Sequence, residues 1–402
     1  MVHRILSLDG GGAWAMLEAM CLADIFGNAP GHQILSQFDL AVANSGGSIV
    51  LGGLTENLRP SDMIALFQNA SDRTAIFSRL SWFQRQLSGL AVFPRYSTEG
   101  KLAGLKKAFG PLGDKPLSSF SGAGWIKGPN GADTKLLIVA LDYDSLRARF
   151  FRSYSTPHGA TADDIALMEA VHASTDAPVE FFDQPAGFDG HRYWDGAMAG
   201  MNNPLMAAVI DLLGDGVSAA DLIALSIGTG TTKLAPATAV PPPPADLAQP
   251  VADAGVMTNV KLAASCILDD PPDSATFSTH IILASARGAD PTRESGVVRL
   301  SPMVRPVLEA GAWKVPSGLT ADDFQALQKL EMDAVKDEEV ALIARLGAAW
   351  IAGTVPNQPI RMRSDNLASS LGEEIYGQGV ARWRTLTTSG ATSGAVGGPP
   401  MV

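Results

Sequence analysis

Leu40-Ala41-Val42-Ala43-Asn44-Ser45-Gly46-Gly47-Ser48-Ile49-Val50 is the stretch around which the chain is organised. Residues 38–43 have the apolar character and length of a strand, and the apolar segment 49–54 reads as the start of a helix. Small residues, Asn44 to Gly47, stand between them. A strand that turns sharply into a helix through small residues lifts the side chain at the turn out of the sheet. The Ser45 hydroxyl then sits beside a helix N-terminus, where unpaired amides favour developing negative charge. The pattern is that of a nucleophile elbow, Gly-x-Ser-x-Gly, with Ala43 in place of the first glycine. On its own, a Gly-Gly turn after a strand is more often ordinary punctuation, so the reading needs partners elsewhere in the chain.

The first partner lies upstream. Residues 5–8 form a short strand that ends in Asp9-Gly10-Gly11-Gly12, and residues 13–20 have helical composition. Strand, glycine turn and helix in about twenty residues open an α/β unit. One βα turn thus offers backbone amides and the next offers a hydroxyl. In a parallel sheet both lie at the carboxyl ends of their strands, the side on which open α/β folds bind ligands. Downstream, residues 135–141 read as a buried strand and 150–154 as its neighbour. An acidic first turn opens a helix over 161–172. Tyr193-Trp194-Asp195-Gly196 is a strand ending in an Asp-Gly turn, and helix 205–213 follows. Residues 222–227, 280–283 and 297–300 read as further strands, and 320–352 as C-terminal amphipathic helices. The expectation is an α/β fold with a central, mostly parallel sheet flanked by helices.

Composition narrows the function. The 402 residues carry 46% hydrophobic and 18% charged side chains, as a folded globular protein does. A net charge of −11 argues against a general nucleic-acid binder, which presents a basic surface. The two cysteines, Cys21 and Cys266, lie far apart in apolar surroundings and are expected to be buried free thiols. No metal site is expected, because the acidic residues are scattered and no histidine pair has ligand spacing. No cofactor is expected either. The sequence shows no secretory signal and no apolar run long enough to cross a membrane, so a soluble cytoplasmic protein, peripheral on the membrane at most, is expected.

Residues 60–115 read as a helical insertion or lid. Between Arg73 and Lys107 there are seven basic residues and one acidic, Glu99, interleaved with aromatics such as Trp82, Phe83 and Phe93. That pattern suits transient contact of 73–107 with anionic headgroups, or a cover over an apolar groove. Its simpler reading is an insertion packed on the sheet with solvated arginines. The segment 356–384 reads as a C-terminal extension of a catalytic domain spanning 1–355, and the Gly/Ser/Thr/Ala/Pro-rich 385–402 as a disordered tail.

Acyl transfer needs a nucleophile, a proton acceptor and donors for the oxyanion. Ser45, Asp195 and the amides of Gly10, Gly11 and Gly12 supply those three parts. With these pieces together the sequence resembles the patatin-like phospholipases, a family of lipid acyl hydrolases. The matching stretches are Asp9-Gly10-Gly11-Gly12, Phe38-Asp39-Leu40 leading into Ala43-Asn44-Ser45-Gly46-Gly47, Ala173-Ser174-Thr175-Asp176-Ala177-Pro178, Tyr193-Trp194-Asp195-Gly196-Ala197 with Asn202-Asn203-Pro204, and Leu225-Ser226-Ile227-Gly228-Thr229-Gly230. The resemblance implies a three-layer patatin-like fold and a Ser–Asp dyad rather than a Ser–His–Asp triad. Ser45 is then the nucleophile of carboxylester hydrolysis, Asp195 the base, and Gly10 to Gly12 the oxyanion hole. The implied substrate is a phospholipid or another acyl ester. The family usually carries Arg or Lys and then Gly where this chain has Trp14 and Ala15, which removes a cation and leaves headgroup preference open.

Three rivals remain at this level. A transacylase would use the same residues. A catalytically inactive lipid-binding protein would keep the fold, and a phosphate-binding protein would use the glycine turn, although that turn lacks a P-loop ending. A triad would select His280, but its place in the apolar run 279–283 favours a structural role. His172 and His191 flank the site without an assigned role, and Tyr193 and Trp194 are expected walls for Asp195. Oligomeric state is not readable.

Overall fold

The computed structural model describes residues 1–76, 95–178, 181–249, 255–290, 294–358, 360 and 371–392, with the backbone alone for 256–270 and 389–392. Its frame is an eight-stranded sheet. The strands are β1 (His3–Leu8), β2 (Leu40–Asn44), β3 (Lys135–Asp142), β4 (Arg147–Arg152), β5 (Ala186–Phe188), β6 (His191–Asp195), β7 (Leu222–Ile227) and, after the two-residue β8 (Thr231–Thr232), β9 (Val297–Leu300). The order is β5-β6-β3-β2-β1-β7-β9, with β4 also on β3. From β3 to β9 neighbours run parallel, whereas β4, β5 and β6 form an antiparallel edge.

The central strands are apolar on both faces because both are covered. Leu6, Leu8, Ala41, Ala43, Leu136 and Ile138 pack into one core with the helices Met16–Phe26, Ser45–Thr55 and Asp337–Ile351. Their alternates Ile5, Leu40, Val42, Leu137 and Val139 pack into a second core with the helix Leu205–Gly214. The period of two along each strand assigns successive side chains to opposite layers. All eleven residues of helix Ser45–Thr55 are buried. Gly47 permits this: a Cβ there would stand 2.6 Å from the Asp9 carbonyl oxygen, and its own amide donates to that oxygen at 3.0 Å.

Several expectations change. Residues 280–283 are not a strand but lie in the helix Val256–Ala286, which contains Pro271 and Pro272. A short apolar run with β-branched residues does not distinguish a strand from a buried helix turn. The helix expected over 161–172 runs from Leu167 to Ser174. Residues 385–392, expected in the tail, belong to the helix Tyr376–Thr392, which Trp383 anchors by stacking on Phe38 at 5.8 Å. Residues 393–402 lie outside the described residues. The segment 356–384 is woven into the main body: buried Asn357 accepts the Ser301 amide and donates to the Arg299 carbonyl, both at 2.8 Å. Cys21 is buried and free, while the Cys266 side chain lies outside the described residues.

The 60–115 region is helical where described, with helices Pro60–Gln68, Ala70–Ile76 and Thr98–Ala108. Three of its basic residues are less available to a lipid surface than their spacing implied, while Lys106 and Lys107 are exposed. Arg73 is buried against Asp337, Arg95 pairs with Glu331 and Asp333, and Lys101 is buried against Asp176. Arg79, Arg85 and the aromatic run proposed as a lid fall in 77–94, outside the described residues.

Candidate active site

Ser45 stands where β2 becomes a helix. Asn44 is extended, at φ −130° and ψ 148°, and Ser45 then takes φ +49°. A non-glycine residue in the left-handed region costs about 1–3 kcal/mol and persists only where its surroundings enforce it. Here the Ser45 amide donates to Ser174 Oγ at 2.8 Å, and the Ser45 carbonyl accepts from Ser48 Oγ at 2.6 Å. The strained turn delivers the hydroxyl to a cavity mouth while only 5% of the residue stays exposed.

Asp195 reaches Ser45 through strand register. β6 runs against β3, pairing Asp195 with Ala140, while β2 pairs Asn44 with Val139 on the other side of β3. The carboxyl end of β6 therefore arrives where β2 ends. Asp195 Oδ1 accepts from the Ala197 amide at 2.8 Å and from Asn44 Nδ2 at 3.2 Å. Burial pushes its carboxyl above the ordinary range; the nearby Ser45 hydroxyl, the Ala197 amide, Asn44 and the Lys101 charge act in the opposite direction. Desolvation disfavours an anion, so this carboxylate is more basic than an exposed aspartate, while its donors favour the ionised form.

The glycine turn after β1 completes the cluster, with one correction. The Gly10 amide is already committed to the Asn202 carbonyl at 2.8 Å, so it is not an available oxyanion donor. The amides of Gly11 and Gly12 have no hydrogen-bond partner among the described residues. Gly10 acts by its lack of a side chain: a Cβ would lie 2.2 Å from Asn202 Oδ1, 2.9 Å from Asn44 Nδ2 and 3.0 Å from the Ser45 Cβ. Asp9 anchors the turn from below. Arg299 clasps its carboxylate through both terminal nitrogens, at 2.9 and 2.5 Å, and also donates to Ser226 Oγ at 2.8 Å. Buried Glu18 accepts the Asp9 amide at 2.7 Å, and burial first, then the neighbouring Asp9 charge, drives the Glu18 carboxyl well upward.

Ser45 borders two spaces. One is a cavity of about 300 Å³ that also meets Asp195, Gly10, Gly11, Trp14 and Arg299. Its further lining is rich in hydroxyl and amide groups from Thr229, Thr231, Ser301, Gln328 and Gln358. The other is a small apolar pocket of about 20 Å³ between Gly12, Gly46, Ile49, Phe181 and Phe182. Trp14 lines the larger space, and its indole nitrogen donates to the Glu331 carbonyl at 3.2 Å.

Sequence reading assigned no role to Asn44, Ser174, Asp176, Lys101 or Arg299, all of which brace the site. The first three stood in the motif stretches already quoted; Lys101 and Arg299 carried no local signal. Tyr193 and Trp194 do not line the cavity; Tyr193 stacks on Phe188 at 4.7 Å in the core. His280 is fully buried in its helix near Phe277. Burial lowers the His172 imidazole to about 2, which keeps it neutral. The fold also gathers Asp142, Asp144 and His191 within metal-ligand reach of one another on the surface, where Asp144 already holds Arg192.

VipD from Legionella pneumophila aligns over 87% of this chain and 67% of its own, but at 10% identity and a TM-score of 0.33, too loose to bear on the fold. A cGAMP-activated phospholipase of Pseudomonas aeruginosa is 26% identical over 181 residues, 44% of this chain and about half (48%) of that relative's length. The patatin-like phospholipase profile matches residues 6–209, just over half of the chain, and takes in both turns and Asp195. The chain belongs to the patatin-like phospholipase family.

Proposed function

We propose that this protein hydrolyses the carboxylic esters of lipids through an acyl-Ser45 intermediate. The observation that carries the reading is Ser45, held at φ +49° on the turn after β2, lining one cavity together with the buried Asp195. In this mechanism Ser45 Oγ attacks the ester carbonyl carbon as Asp195 takes its proton. The Gly11 and Gly12 amides receive the oxyanion, each worth about 3 kcal/mol by analogy with oxyanion donors generally. Collapse breaks the bond to the alcohol, which leaves with the proton held by Asp195. Water then gives a proton to Asp195 and attacks the acyl carbon, and the released Ser45 recovers the proton as the fatty acid departs.

The two spaces divide the substrate. Apolar Ile49, Phe181 and Phe182 suit the start of an acyl chain, while the hydroxyl-rich cavity suits the polar alcohol portion. In the larger cavity the cation among the described lining residues is Arg299, which Asp9 already occupies. A lipid surface is the natural source of such an ester, and no described helix is long and apolar enough to cross a membrane.

The test combines activity-based labelling with product analysis. A fluorophosphonate should label wild type but neither Ser45→Ala nor Asp195→Asn, and lipid vesicles should release fatty acid only with wild type. An unlabelled wild type would leave a lipid-binding scaffold. Transfer of the acyl group to an added alcohol in preference to water would make the protein a transacylase.

A further inference from the structure

The turn after helix Leu167–Ser174 touches both halves of the dyad through different atoms. Ser174 Oγ accepts the Ser45 amide at 2.8 Å, and the Asp176 carbonyl accepts the Asp195 amide at 3.0 Å. Nucleophile and base therefore hang from one three-residue turn. That turn is gripped from outside by Lys101, on the helix Thr98–Ala108 of the 60–115 insertion. Lys101 Nζ donates to Asp176 Oδ1 at 2.5 Å and to the His172 carbonyl at 3.0 Å, and lies 4.1 Å from the centre of the Phe182 ring. Lys101 is 1% exposed and Asp176 is fully buried. Lys101 also lines the small pocket that Ser45 and Gly12 share.

A buried ion pair is a poor device for stability alone, because desolvating two charges offsets most of their attraction. An apolar pair of the same volume would hold the helix to the core as well. What an apolar pair would lack is a directional grip on the Asp176 carboxylate and the His172 carbonyl, one residue to either side of the 173–175 backbone. It would also lack a positive charge facing Asp195.

We propose that Lys101 is a positioning residue for the Ser45–Asp195 chemistry, clamping the 172–176 turn from which both dyad members are suspended. The proposal rests on the dyad reading above. Its ammonium also favours the ionised Asp195 that must accept the serine proton. The other groups on Asp195 are the Ser45 hydroxyl, the Asn44 amide and the Ala197 N–H; those facing Lys101 are Asp176, Asp195 and the neutral His172, with Asp183 acting on Asp176. Formation of a competent site then depends on docking of the insertion helix.

The experiment compares wild type, Lys101→Met and Lys101→Arg in the full chain, using a soluble short-chain p-nitrophenyl ester and a fluorophosphonate. For Lys101→Met, kcat and the labelling rate should fall between about ten- and a hundred-fold, as misplacement of reacting groups does. KM should stay within about two-fold, since methionine keeps the straight side chain that lines the small pocket and the lost ammonium is directed at Asp176. The acid limb of the pH profile should move to higher pH, and Lys101→Arg should return it toward wild type. A folded Lys101→Met with wild-type labelling and an unmoved acid limb overturns the proposal. If Lys101→Met does not fold, Lys101→Met/Asp176→Asn leaves no lone buried charge. Slow labelling at unchanged KM supports the clamp, and wild-type labelling overturns it. A wild type that neither labels nor turns over overturns the dyad reading itself, and this proposal with it.

Discussion

Asn44 ties Asp195 to the strand that leads into Ser45: its Nδ2 donates to Asp195 Oδ1 at 3.2 Å, while its Oδ1 accepts from Ser174 Oγ at 3.4 Å. One buried amide thus fixes the orientation of the carboxylate and of the hydroxyl that holds the Ser45 amide. Asn44→Asp keeps the shape and places a second carboxylate against the first. Like charges at this range disfavour ionisation of both. Burial already raises Asp195, so the substitution raises it further, and the ionised base is lost at a higher pH than in wild type. The expected result is kcat/KM about 100-fold lower at pH 7, partly recovered as pH rises, read from a pH–rate profile.

Gly10 packs against Asn202, Asn44 and Ser45. Gly10→Ala would set a methyl 2.2 Å from Asn202 Oδ1 and 3.0 Å from the Ser45 Cβ, and neither is at the end of a long flexible side chain. Overpacking of this kind costs about 1–3 kcal/mol of stability. The loss in fluorophosphonate labelling should exceed that in stability, at about 100-fold, because the displaced groups are the reacting ones. Urea midpoints measured beside labelling rates separate the two effects.

Arg299 and Asp9 join the last strand of the sheet to the first glycine turn, both almost wholly buried. Arg299→Met leaves the Asp9 carboxylate without its partner and should destabilise the fold by about 3–5 kcal/mol in urea unfolding. Arg299→Met/Asp9→Asn should recover most of that loss, since no lone charge remains. A single variant as stable as wild type would show that Asp9 is held without Arg299.

Trp14 lines the cavity wall at the position where the resemblance to the patatin-like family leads one to expect Arg or Lys. Trp14→Lys should raise the hydrolysis of phosphatidylglycerol relative to a neutral monoacylglycerol by about ten-fold, the effect of one charge-assisted hydrogen bond to phosphate. The rate on a soluble p-nitrophenyl ester serves as the control for intact chemistry. An unchanged lipid ratio would place the headgroup away from Trp14.

Much of this was readable because the turns are local. A strand of the type 38–43 followed by Asn44-Ser45-Gly46-Gly47 can hardly do other than turn into a helix, and Asp9-Gly10-Gly11-Gly12 after a short strand does the same. The parallel pairing of those two strands, with Ser7 opposite Val42, follows from their shared apolar character and brings the turns side by side. Short apolar runs were less legible: 280–283 satisfied the strand pattern, yet lies in a helix that continues past two prolines.

Residue types and order along the chain therefore determined the sheet and the two glycine turns, and pointed to Ser45, Asp195 and the glycine amides as candidate chemical parts. The tertiary structure decided how those parts are held. It gave the Gly10 amide to Asn202, turned Lys101 from a surface charge into a buried clamp on Asp176, and placed Arg299 on Asp9, 290 residues away in sequence. Such pairings depend on which strands become neighbours and in what register, and on what burial does to each charge. Neither quantity belongs to any local stretch of sequence, so the elbow was legible at Ser45 while the scaffold that holds it was not.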